Sequence, residues 1–322
     1  LENQRLIPNR ERSEISRLIF WQVRRFRTTP PWREPPPEEA RPSPPRLWLH
    51  LLLFLATVIT TITAGAIQQG VNPLETPGLL YKGIPFSFTL LLILGAHEMG
   101  HYLVSRYHRL DCSLPYFLPA PPFPFIIGTF GAFIRIRSPI QDKRALLDVG
   151  CSGPLVGVTV SMAALAVGLR LSVIKVMPPG AEGLILGEPL LFKFISWLIV
   201  GPLPPDHHVF LHPVAFAGWI GFLVTALNLI PVGQLDGGHV AYALFPAYHR
   251  KISLVCLAAL VVFGTLVWQG WLVWAILLAL LGLRHPPPAH YWVPLDRPRK
   301  ILGLVTILVF VLTFTPSPFE WR

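Results

Sequence analysis

The sequence predicts an all-α polytopic membrane protein of about seven transmembrane helices, with a small membrane-associated β-hairpin or looped strand. Three observations carry this. Of the 322 residues, 52% are hydrophobic and only 14% charged. The charges crowd into segments that separate long apolar stretches. One stretch, 125–137, alternates with the period of a strand instead of a helix.

Seven stretches have the character of spans, at roughly 47–67, 84–107, 150–169, 212–230, 252–268, 269–283 and 300–316. The fifth and sixth are short and closely joined at Trp268-Gln269-Gly270-Trp271. Residues 1–46 form an Arg- and Pro-rich cytoplasmic segment and linker, with an interfacial or tethering helix around Ile15 to Phe26. Residues 47–316 form the membrane-embedded core and 317–322 a short tail.

With the N-terminus in the cytoplasm, 22 of the 27 lysines and arginines fall inside. The outside keeps Lys82, Arg170, Lys175, Lys193 and Arg322. That asymmetry is the positive-inside pattern, so the net charge of +10 is mainly a topology signal. It excludes nucleic-acid binding as a reading, because no soluble domain carries basic residues interleaved with aromatic platforms. Cys112, Cys151 and Cys256 form no C-x-x-C pair and read as small apolar residues.

Inside the second span lies His97-Glu98-Met99-Gly100-His101, an H-E-x-x-H string. On a helix its two histidines share one face and can grip one metal ion, while Glu98 can take a proton from metal-bound water. Glu98 is the only carboxylate in any of the seven stretches, a costly placement in hydrocarbon unless it has a partner or a task. At 1.5 Å per residue His97 sits roughly 20 Å from the outer end of its span, in the cytoplasmic half.

A catalytic zinc site needs a third protein ligand. Asp236 is the candidate, in the turn Pro231-Val232-Gly233-Gln234-Leu235-Asp236-Gly237-Gly238 after the fourth span, where two glycines let the chain come close to a site. His239 is the alternative ligand or a group supporting one. Asp206, His207, His208 and His212 make a second cluster that could bind metal, but it lies in a loop on the opposite side, where such histidines are usually solvated. The small residues Gly150, Ser152, Gly153 and Gly157 at the start of the third span read as helix-packing positions.

Prolines 115, 119, 121, 122 and 124 exclude a helix after the second span. The segment that follows has β-branched and aromatic residues around Gly128-Thr129-Phe130-Gly131. The edge of this strand offers main-chain partners to an extended peptide, through Ile126, Gly128, Thr129, Gly131, Phe133 and Ile134.

H-E-x-G-H in a membrane helix, followed by Asn228-x-x-Pro231-x-x-x-Leu235-Asp236-Gly237-Gly238, resembles the site-2 protease family of intramembrane zinc metalloproteases. Gly128-Thr129-Phe130-Gly131-Ala132, the Gly153-Pro154 turn into the third span, and Arg284-His285-Pro286-Pro287-Pro288 look like the subgroup that includes the chloroplast EGY proteins and their bacterial relatives. The resemblance covers about residues 84–300. It implies one Zn2+ per chain held by His97, His101 and Asp236, with Glu98 as catalytic base and Asn228 near the reacting carbonyl. It further implies an endopeptidase that cuts in or near transmembrane segments of membrane-protein substrates within the lipid bilayer. A bacterial inner membrane is the expected location, with a chloroplast membrane as the alternative. A divalent-metal transporter and an inactive scaffold of the same fold are the rival functions. The first would need polar residues along several spans, of which spans three, five and seven have almost none, and retention of Glu98 speaks against the second.

Overall fold

The computed structural model describes residues 46–123, 125–176, 184–204 and 206–321. The N-terminal segment expected over 1–46 lies, apart from Arg46, outside the described residues. Among the described residues the helices are α1 (Leu47–Gln68), α2 (Ile84–Tyr107), α3 (Lys143–Arg170), α4 (Leu190–Val200), α5 (Pro213–Asn228), α6 (Asp236–Leu244), α7 (His249–Leu266), α8 (Gly270–Leu281) and α9 (Arg297–Thr313). A 3₁₀ turn over Pro77–Gly83 leads directly into α2.

Four of these helical segments are long and apolar enough to cross a membrane: Leu47–Gln68, Pro77–Tyr107, Lys143–Arg170 and His249–Leu266. α4, α5 and α8 are apolar but shorter, and α9 opens on Arg297, Arg299 and Lys300. The third span differs most from expectation. α3 begins seven residues earlier than Gly150, at Lys143, where the Asp142 carboxylate caps it by accepting from the N–H groups of Arg144 and Ala145. Gly153-Pro154 is therefore not a turn into the span but lies inside the helix, where Pro154 leaves the Gly150 carbonyl without its usual donor.

α3 is the hub, packed on α2, α5 and α6. Between helices in hydrocarbon there is no hydrophobic gain from mere contact, so close approach through small residues has to hold them. Gly168 of α3 lies so near Ala215 of α5 that an added Cβ would stand 2.1 Å from the Ala215 nitrogen. Phe86, Leu90 and Leu94 of α2, Leu165 and Leu169 of α3, and Trp219, Ile220 and Phe222 of α5 form one buried cluster. α5 is buried nearly all round, which suits a helix that is apolar on every face.

Where charge enters the helix bundle it is paired. Asp148 of α3 accepts from Arg299 Nε at 2.9 Å and Nη2 at 2.8 Å, and it meets His108 Nε2, just beyond α2, at 2.9 Å. This carboxylate ties α2, α3 and α9 together near one end.

The strands make three two-stranded antiparallel sheets: β1 (Tyr116–Pro119) with β2 (Thr129–Phe133), β3 (Val173–Val176) with β5 (His207–Phe210), and β4 (Leu184–Leu186) with β6 (Phe319–Trp321). The expected strand within 125–137 is thus present over 129–133. Its partner is the proline-flanked segment upstream, with Tyr116 opposite Phe133 and an irregularity between Leu118 and Pro119. Pairing continues beyond the named strands, because Ser113 N–H donates to the Arg135 carbonyl and Arg137 N–H to the Asp111 carbonyl. In an antiparallel ladder successive residues face alternately inward and outward. The main-chain groups of Ile134 and Ile136 therefore face the open edge. His207 and His208 lie on β5 against Val176 and Lys175, and the residues near the end of the chain pair with 184–186.

Candidate metal centre

His97 and His101 stand one helical turn apart on α2, both buried. Their Nε2 atoms are 3.2 Å apart, and Oδ2 of Asp236 lies 3.3 Å from each. Three donors bound at about 2.0–2.1 Å around a tetrahedral ion stand about 3.3 Å from one another. The triangle is therefore already the right size for a small divalent cation, and its two imidazoles and one carboxylate suit zinc. Among the described residues this is the one group of three or more His, Cys, Asp or Glu side chains that could hold a metal. His239, the alternative ligand, is not part of it.

Each donor is placed by a separate device. His101 Nδ1 is 2.8 Å from the Val149 carbonyl. A carbonyl only accepts, so Nδ1 carries the proton and Nε2 is left bare toward the ion. Asp236 is the first residue of α6, reached through a turn with Gly233 at φ +56°. The glycines of α3 supply the room: a Cβ on Gly153 would stand 2.1 Å from His101 Nε2, and one on Gly157 would stand 3.0 Å from His97 Nδ1. Sequence reading treated these positions as generic packing, and the structure makes them clearance for the two imidazole rings.

Glu98 is buried beside the triangle, and the Ile134 main-chain N–H is directed at its carboxylate. The carboxylate thus meets the strand edge at Ile134. Asn228, the last residue of α5, places Nδ2 3.3 Å from His97 Nε2.

The strand residues singled out from sequence divide. Phe133 and Ile134 line a cavity of about 480 Å³ together with Arg135, Ile136, Gln234, His239, His285 and Pro286 to Pro288. Thr129 and Gly131 belong to the ladder with β1, opposite Pro119 and Leu118. Ile126 and Gly128 precede the strand and pack on α1: the Ile126 carbonyl accepts from Gln68 Nε2, and Gly128, at φ +75°, has no room for a Cβ against Thr60. Among the lining residues 285–288 stand out, while His97, Glu98, His101, Asn228 and Asp236 do not line this cavity. The one sequence signal for 285–288 was the run Arg284-His285-Pro286-Pro287-Pro288, which carried resemblance but no assigned chemistry.

The fold and site define a protein of long apolar helices with a buried His-His-Asp donor triangle, a glutamate beside it and a strand edge within reach. The chain belongs to Peptidase family M50, whose description matches residues 85–267. It is 31% identical to "Probable zinc metalloprotease EGY1, chloroplastic" of Arabidopsis thaliana over 314 residues, covering 87% of this chain and 55% of that protein. It is also 29% identical to "Probable zinc metalloprotease EGY2, chloroplastic" of the same plant over 253 residues, covering 76% of this chain and 43% of the relative. The chain thus spans about half the length of the curated relatives it matches.

Proposed function

We propose that this protein is an intramembrane zinc metalloendopeptidase that cleaves peptide bonds in or near the transmembrane segments of other membrane proteins. The observation that carries the reading is the 3.2–3.3 Å His97, His101 and Asp236 triangle with Glu98 beside it, on a helix long and apolar enough to span. Membership of Peptidase family M50 favours it over a metal transporter or an inactive scaffold. His97, His101 and Asp236 would hold one zinc per chain, which would supply Lewis-acid polarisation of the scissile carbonyl and a more acidic water.

The rest is the work of the chain's own residues. Glu98 takes a proton from the attacking water and returns it to the departing amine. The Asn228 amide, beside His97, donates to the carbonyl oxygen as negative charge develops on it. The Ile134 carbonyl and the main-chain groups of Ile136 pair with an unwound substrate, holding it extended along the strand edge. Phe133 flanks that edge and Thr129 and Gly131 keep it in register with β1, whereas Ile126 and Gly128 anchor the loop to α1. The arrangement in the bilayer is seven spans with a cytoplasmic N-terminus, supported by the distribution of basic residues.

The test is metal analysis of wild type and Glu98→Gln in parallel with cleavage of a transmembrane-segment substrate. Zinc in both and cleavage by the wild type alone is the expected result. Loss of zinc from Glu98→Gln would make Glu98 a structural group and end its assignment as base.

A further inference from the structure

The cavity lined by the strand edge is also lined by two imidazoles that take no part in the metal centre. His239 on α6 and His285 in the loop after α8 touch through Nδ1 of His239 and Nε2 of His285, 2.7 Å apart. That is a hydrogen-bond length, well short of the spacing of two donors on one zinc ion. Nδ1 of His285 lies 2.6 Å from the Pro286 carbonyl, and the ring stacks on Tyr242.

The direction of this chain of bonds follows from its last member. A carbonyl can only accept, so His285 Nδ1 carries a proton. Burial pushes both histidines down to about 4, so both rings are neutral near pH 7 and hold one proton each. His285 Nε2 is then a bare acceptor, His239 Nδ1 must donate to it, and Nε2 of His239 is left as a bare acceptor too. Among the described residues that Nε2 has no hydrogen-bond partner, and it is not one of the buried unpartnered atoms, which are Ser105 Oγ and His249 Nε2. His239 lines the cavity, so its free nitrogen opens there.

An extended peptide has polar main-chain groups along both edges. At membrane depth each of them needs a partner. Ile134 and Ile136 can serve one edge. For the other, Pro286, Pro287 and Pro288 in the same cavity have no N–H to offer, and the locked acceptor of His239 also lines it.

We propose that His239 is a substrate-binding residue whose Nε2 accepts one main-chain N–H from the far edge of the extended peptide, with His285 as the positioning residue that fixes its tautomer. This rests on the peptidase reading. It is tested with a transmembrane-segment peptide in which single amides around the cleaved bond are replaced in turn by esters, each removing one N–H. Binding is measured to full-length Glu98→Gln protein, and to the same protein carrying His239→Ala or His285→Phe, all with zinc content checked.

One ester position should weaken binding about two- to tenfold when His239 and His285 are both present. The same ester should have no effect with His239→Ala and a reduced one with His285→Phe, which keeps a ring against Tyr242 but takes no proton. If His239→Ala fails to fold, the His285→Phe comparison decides alone. A flat ester scan, or an ester effect equal in all backgrounds, overturns the assignment of His239. Failure of the peptide to bind Glu98→Gln, with no cleavage by the wild type, would instead sink the peptidase reading.

Discussion

The two sides of the site are made from different material. On the metal side, three side chains converge on one point, and each is placed by the chain around it: Val149 O for His101, the clearance at Gly157 for His97, the Gly233 turn for Asp236. On the groove side, Ile134, Ile136 and three prolines line one cavity of about 480 Å³. The first side demands particular atoms at particular points, the second only a backbone in the right conformation. Substitutions on the metal side should therefore act on metal content and turnover, and substitutions on the groove side on substrate affinity.

The largest effects belong to the metal side. His97→Ala, His101→Ala and Asp236→Asn should each bring zinc, measured by elemental analysis, well below one per chain and cleavage to background, because two ligands hold the ion poorly. Glu98→Gln should keep zinc and lose about 10²–10⁴-fold in kcat, the usual worth of a proton-transferring group. If all four variants behaved alike, the distinction between ligand and base would fail.

A graded pair comes next. Gly153→Ala puts a methyl 2.1 Å from His101 Nε2, and Gly157→Ala puts one 3.0 Å from His97 Nδ1. The first must displace a ring and should lower zinc affinity by about 10–100-fold, the range seen when a supporting contact of a metal ligand is lost. The second, cleared by a small shift, should cost less than tenfold in a chelator competition. Equal effects would mean that α3 does not set the histidine geometry.

On the groove side, Ile136→Pro removes one outward N–H and should raise KM about two- to tenfold with kcat and zinc unchanged. Ile134→Pro removes instead the N–H directed at Glu98, so it should lower kcat. A fall in kcat for both would erase the separation between the two sides.

The smallest effect concerns acid. Burial pushes His285 down to about 4 from 6.5. The unfolded chain takes this proton first, so stability is lost as pH falls from about 6.5 toward about 4. Thermal unfolding of the detergent-solubilised protein should show that loss, with a shallower slope for His285→Gln.

How much of this was legible depended on how local the information was. His97, Glu98 and His101 sit within five residues, and a helix converts that spacing into a shared site without help from the rest of the fold. Asp236 was legible because Leu-Asp-Gly-Gly marks a turn able to approach a site. The start of α3 was not, because Lys143, Arg144 and Asp148 interrupt the apolar pattern while Asp142 caps the helix and Arg299 and His108 pair Asp148. β1 was hidden by the prolines that flank it. The His239–His285 contact joins residues 46 apart in sequence, and neither carries a mark of the other. Strand edges leave the least trace of all, since main-chain donors are common to nearly every residue.

The three prolines of the cavity have one more consequence. A strand edge that faces another stretch of its own chain is prone to zip onto it, and the groove between them would then close with nothing inside. Pro286, Pro287 and Pro288 cannot donate to such a ladder. A ladder onto these three residues would lack every donor on their side and could use only their carbonyls.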